Sequence, residues 1–119
     1  MQERLTLPAR LRLRRKSDFD AAYARGRRLG DGYFTVIATA NDLGAPRLGL
    51  AVAVRAAGGA VARNRLRRII RESFRLHQHA LPALDLVVSA RPGARAAAAP
   101  ALRASLAALW HRAAGLSRG

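Results

Sequence analysis

The chain has 119 residues, no cysteine, and 22 basic side chains against 7 acidic ones, giving a formal net charge of +15. That length supports one domain burying about two thirds of its unfolded surface; the missing cysteines exclude disulfides and thiolate metal sites and make an intracellular, cytoplasmic home the expectation. No apolar run approaches the ~20 residues that span a bilayer, and the charge excess points to a polyanionic partner, with nucleic acid first.

Residues 1 to 16 carry Arg4, Arg10, Arg12, Arg14, Arg15 and Lys16 against Glu3 alone. The pattern predicts a flexible basic arm, followed by a single RNA-binding α/β domain over 17–116. A mitochondrial transit peptide is also Arg-rich and acid-poor, but no serine precedes Ser17 and the periodicity is poor. Ser17-Asp18-Phe19-Asp20 predicts a helix start, with Ser17 as cap and Asp20 at the capping-box position, and Gly26 as its stop. Phe19 and Tyr23 share one face of that helix. Two aromatics so spaced serve either as core or as a base-stacking platform, and periodicity does not separate the two.

Arg27 and Arg28 precede a Gly-Asp-Gly turn, after which Tyr33 to Ala40 predicts a strand by its β-branched and aromatic content. Arg47 to Val54 predicts another, in which Leu48, Leu50, Val52 and Val54 alternate with Arg47, Gly49, Ala51 and Ala53. One face is apolar and the other nearly bare, which leaves room for something to lie on it. The turn-forming stretch Asn41 to Pro46 predicts that these two strands pair as an antiparallel hairpin. Gly58 and Gly59 follow, without the spacing or the lysine of a phosphate-cradling P-loop.

The stretch Ala60 to His79 has the strongest pattern. At about 100° per residue, Leu66, Ile69, Ile70, Phe74 and Leu76 fall in one arc, beside a stripe of Arg63, Arg67, Arg71 and Arg75. With Arg65 and Arg68, the polar face carries six arginines against Glu72 alone. A charged run is usually just the wet side of an amphipathic helix. Such faces mix both signs, however, and like charges at i,i+4 cost a few tenths of a kcal/mol per pair. An anion is the partner this face calls for.

Asp85 to Arg91, with Leu86, Val87 and Val88 consecutive, predicts a strand buried on both sides. Pro100 suits the first turn of a last helix with a Leu102, Leu106, Leu109 and Ala113 seam flanked by Trp110. No catalytic constellation emerges. His77 and His79 project in different directions, His111 stands alone, and the seven acids are scattered without the clustered pair of a two-metal nuclease. No catalytic or metal-ligating residue is assigned.

Arg63-Asn64-Arg65, followed by Leu66-Arg67-Arg68-Ile69-Ile70-Arg71-Glu72 and Phe74-Arg75, resembles the RNR signature of the bacterial ribonuclease P protein family. The likeness extends to the RRxxDF-type start that runs from Arg15 into Phe19, to Gly26-Arg27-Arg28, to Pro46-Arg47-Leu48-Gly49-Leu50, and to Leu86-Val87-Val88-Ser89-Ala90-Arg91-Pro92. The resemblance implies a two-layer α+β sandwich of about four strands and three helices in the order α-β-β-β-α-β-α, similar to a ribosomal-protein domain, with a left-handed βαβ crossover. It implies a small protein subunit, 1:1 with a large catalytic RNA that removes the 5′ leader of precursor tRNA using Mg2+ bound to the RNA. Arg63, Asn64, Arg65, Arg67, Arg68 and Arg71 would then face the catalytic RNA, and Phe19, Tyr23 and Arg55 the leader. Where many family members carry two basic residues after the second long strand, this chain has Val54 and Arg55. The same size, charge and class also fit a structural RNA-binding protein of the ribosome. A helix-turn-helix DNA module or a membrane-surface helix fits less well, because strands flank the basic helix.

Overall fold

The computed structural model describes residues 9–53 and 57–116. Helix α1 (Lys16–Arg25) is followed by strands β1 (Arg27–Gly30), β2 (Phe34–Ala40) and β3 (Arg47–Leu50), helix α2 (Ala60–His77), strand β4 (Leu84–Ala90) and helix α3 (Ala99–Leu116). The order is the α-β-β-β-α-β-α expected. The four strands form one sheet in the order β1-β2-β4-β3, antiparallel except where β3 and β4 run parallel across the α2 crossover. Among the described residues, no helix is long and apolar enough to cross a membrane.

The expected hairpin between β2 and β3 does not form, because β4 lies between them. The apolar run of β4 decides this: a strand buried on both faces belongs in the middle of a sheet, and Leu84, Leu86, Val87 and Val88 are all buried. The connection therefore steps over the start of β4, where the Asn41 amide N–H bonds the Ala83 carbonyl at 3.0 Å. The Asn41 side chain fixes the loop, accepting from Leu43 N–H at 2.9 Å and donating to Asp85 at 2.8 Å and to the Ala45 carbonyl at 3.2 Å. β3 ends at Leu50 rather than Val54, and the true hairpin is β1-β2. Its turn is held by Asp31, whose carboxylate accepts the backbone N–H groups of Tyr33 at 2.8 Å and Phe34 at 3.0 Å.

Alternation along the strands gives the sheet two different faces. Phe34, Val36, Leu48, Leu86 and Val88 point to α2 and α3, meeting Leu66, Ile70 and Phe74 from one helix and Leu102, Leu106, Leu109 and Trp110 from the other. Trp110 is 2% exposed and its indole N–H donates to the Ser73 hydroxyl at 2.8 Å. That bond removes the penalty of burying both polar groups. Ile37 and Val87 point the opposite way, into a smaller cluster with Leu13, Ala22 and Phe19 beneath α1. Leu76, placed by periodicity on the apolar arc of α2, is 67% exposed at the last turn of that helix.

The second half of the stretch expected to be a loose arm is docked on the sheet. Leu11 and Leu13 are each 5% exposed, Arg12 bridges Leu48 in parallel, and Leu13 N–H donates to the Leu48 carbonyl at 2.8 Å. Leu11 closes a short 3-10 turn (Ala9–Leu11) and enters the core under α2 and α3, whereas Leu13 enters the cluster beneath α1, so the two leucines anchor opposite sides of the sheet and leave no period to read in the sequence. Helix α1 then begins at Lys16 with Arg15 as N-cap and no side-chain cap, so Ser17 does not cap it. Asp20 instead pairs with Lys16, and Asp18 with Arg47 at 3.5 Å. Gly26 does end α1, since a side chain there would run into Ile37 and the Ala22 carbonyl.

Candidate functional site

Eighteen residues of α2 set the arginine stripe in place, because burying Leu66, Ile69, Ile70, Ser73 and Phe74 fixes the helix's rotation against the sheet. Asn64, Arg68 and Arg71 are then exposed, and Arg63, Arg65, Arg67 and Arg75 are half-buried. Arg65 turns away from the others and donates to the Ala97 carbonyl at 3.0 Å, tying α2 to the loop after β4. It keeps further donors free, since a guanidinium has five. Among the described residues the ion pairs are Lys16–Asp20, Arg47–Asp18 and Arg47–Asp85, and none lies on α2. Glu72 neutralises neither Arg68 nor Arg75. Among the described residues, the Nε–H groups of Arg63 and Arg75 are buried without an acceptor, an arrangement that costs free energy.

On the opposite face of the sheet, α1 covers only part of the floor. Phe19 lies over Gly49, where an added Cβ would sit 2.9 Å from the ring and 3.0 Å from Leu13. The bare face of β3 is therefore filled at Gly49 by the chain's own Phe19 and Leu13. Asp18 reaches Arg47 on one flank of α1. Tyr23, about 140° further round the helix, lies on the other flank and is 52% exposed. Gly30, Thr35 and Ser89 are adjacent in register across β1, β2 and β4. Phe19 is thus half core, whereas Tyr23 presents an exposed ring. Arg55, expected to join them, lies outside the described residues.

Sequence patterning missed the Arg47 cluster. Arg47 donates to both oxygens of Asp85, at 2.9 and 2.8 Å, and Asp85 also accepts from Asn41. The Asp85 hydrogen bond raises the Arg47 pKa further, against the opposing effect of burial. This bidentate pair staples β3 to β4 at their shared start. Its partners are 38 residues apart, so no local pattern links them. His77 bonds the Ser73 carbonyl through Nδ1 at 2.7 Å and borders a pocket of about 330 Å³ with Trp110 and His111.

A family model described as Ribonuclease P matches residues 7–114. The chain belongs to the ribonuclease P protein family. It is 42% identical over 116 residues to the ribonuclease P protein component of Escherichia coli (strain K12 / DH10B), covering 98% of both chains. It is also 42% identical over 109 residues to that of Yersinia pestis (strain Pestoides F), covering 92% of each. Among solved structures, the Staphylococcus aureus RNase P protein superposes with a TM-score of 0.82 at 31% identity, over 87% of this chain and 94% of that one. The Thermotoga maritima protein gives 0.78 at 32%, over 85% and 96%. The α+β fold is the family's own. Members are protein subunits of an endoribonuclease ribonucleoprotein that acts in tRNA 5′ processing, so this chain's partner is RNA. A ribosomal role is set aside by the same matches.

Proposed function

We propose that the chain binds the catalytic RNA of ribonuclease P through α2 and the 5′ leader of precursor tRNA on the α1 side of the sheet, in a 1:1 cytoplasmic complex. Arg63, Asn64, Arg67, Arg68 and Arg71 supply the RNA-facing surface, with Arg65 bracing it against the loop after β4. The observation that carries this is a helix whose arginines have no acidic partner, and whose buried Arg63 and Arg75 donors have no acceptor, among the described residues. Phosphate supplies what both lack, since guanidinium pairs with it bidentately.

For the leader, Tyr23 offers a stacking surface and Thr35 and Ser89 offer hydroxyls, a combination that holds a single strand with little regard to sequence. Arg55 would add charge there. Among the described residues, no three of His, Asp and Glu converge as a metal site requires. The proposal assigns Mg2+, and the hydrolytic chemistry, to the RNA. The protein's share is affinity and screening of phosphate repulsion. Reconstitution with a bacterial ribonuclease P RNA at low Mg2+ tests it: leader removal should be restored by the chain, and absence of any stimulation would refute the reading.

A further inference from the structure

A second cationic surface lies apart from both regions just described. Arg10, Arg12, Arg14 and Arg15 line a cleft of about 580 Å³ whose other wall is Asp18 and Arg47. It sits at the start of β3 and β4, the end of the sheet opposite the Gly30, Thr35 and Ser89 row, and α1 stands between. Arg47 and Asp18 satisfy each other, and Arg47 is further held by Asp85. The four N-terminal arginines have no such partner: among the described residues their side chains make no ion pair and no hydrogen bond.

The backbone makes this cleft a formed surface. Leu11 and Leu13 are anchored in the two cores on opposite sides of the sheet, and the bridge from Arg12 to Leu48 fixes the chain between them. Arg12 and Arg14 are both exposed and line the cleft together with Arg10 and Arg15. Four guanidinium groups along one cleft, unpaired among the described residues, suit a polymer of phosphates better than a single anion.

We infer that this cleft is a separate binding site for the phosphodiester backbone of folded RNA, engaging it through Arg10, Arg12, Arg14 and Arg15 independently of the α2 arginines and of the leader surface. It rests on the RNA-binding reading above. The RNA is either the catalytic subunit or the body of the precursor tRNA, and the chemistry of recognition is the same for both.

The test uses the full chain and two salt titrations: binding to catalytic RNA alone, and binding of a leaderless tRNA by the reconstituted complex. Each phosphate contact contributes about 0.7–0.9 to the slope of log affinity against log salt. Arg12→Gln/Arg14→Gln should therefore flatten one slope by about 1.4–1.8, and the arm in which this occurs names the RNA. Arg103→Gln, at an exposed position of α3, serves as the charge control and should flatten neither. Slopes unchanged in both arms, or changed no more than in the control, overturn the inference while leaving the α2 reading intact. Failure of the unmodified chain to bind any RNA overturns both. Both substituted side chains are exposed; if circular dichroism nonetheless shows unfolding, Arg10→Gln/Arg15→Gln carries the same test.

Discussion

Helices α2 and α3 are both 18 residues long, share one face of the sheet, and bury a seam of large apolar side chains against each other and the strands. Their outer faces differ. That of α3 mixes small and polar residues, with Ala101, Ala104, Ala108, Arg103, His111 and Arg112 exposed and Arg112 donating to the Gly30 carbonyl at 3.2 Å. That of α2 is crowded with arginine. The fold thus contains its own control: a helix in this layer needs an apolar seam, and packing alone does not call for the charge on α2.

Two substitutions would break this comparison from opposite sides. Phe74→Ala removes a fully buried ring that meets Trp110 edge-on at 5.8 Å. Since the seam is common to both helices, stability should fall by about 3–5 kcal/mol, read as a shift in the urea midpoint. Replacing Arg63, Arg67 and Arg71 together by Gln should do the reverse. Folding should be unchanged or favoured by a few tenths of a kcal/mol per relieved pair. The slope of log affinity for catalytic RNA against log salt should fall by about 2–3. Unaltered RNA binding in the triple variant would show that the α2 arginines are only a solvated face.

Much of this contrast was legible in the chain. Helix periodicity placed the α2 stripe and the α3 seam, because each runs long enough for a 3.6-residue period to accumulate. What escaped was short or distant. β1 has one buried apolar residue, Leu29, among four, too few to show alternation. The β2-β3 hairpin was wrong because a turn sequence specifies that the chain reverses, whereas the strand order depends on which strand is most deeply buried. Arg12 and Arg14 were read as an arm because their charge outweighs the two leucines between which Arg12 lies. The Arg47–Asp85 staple joins residues that only the parallel crossover brings together.

Phe19 and Tyr23, equal candidates by spacing, are separated by the structure, and their alanine variants should diverge. Tyr23→Ala should leave stability nearly untouched and weaken leader binding by about 1–3 kcal/mol, the worth of one stacked base. Phe19→Ala uncovers Gly49 and the cluster beneath α1, so a measurable part of its effect should appear as lost stability in the absence of RNA. Equal leader defects with no stability difference would return Phe19 to the platform and remove its part in the core.

The smallest effect concerns how α3, unlike α2, is tied to the β1-β2 turn. The Asp31 carboxylate accepts from the buried Ser105 hydroxyl and from two backbone N–H groups. Burial alone would raise its pKa, but the Ser105 bond, the N–H groups of Tyr33 and Phe34, and the Arg112 charge outweigh it and hold the carboxyl below its ordinary value. A carboxylate whose pKa is lower folded than unfolded stabilises the fold above its unfolded value of about 3.9, and the contribution disappears as pH falls through the folded pKa. Wild type should therefore lose stability below about pH 4 relative to neutral pH, and Asp31→Asn should lose less over the same interval. Ser105→Ala, which removes one of the donors that favours the charged form, should fall between them. Since among the described residues no acidic side chain ties α2 to the sheet in this way, removing the Asp31 anchor should blunt the acid sensitivity of α3 docking while leaving RNA affinity at neutral pH unchanged.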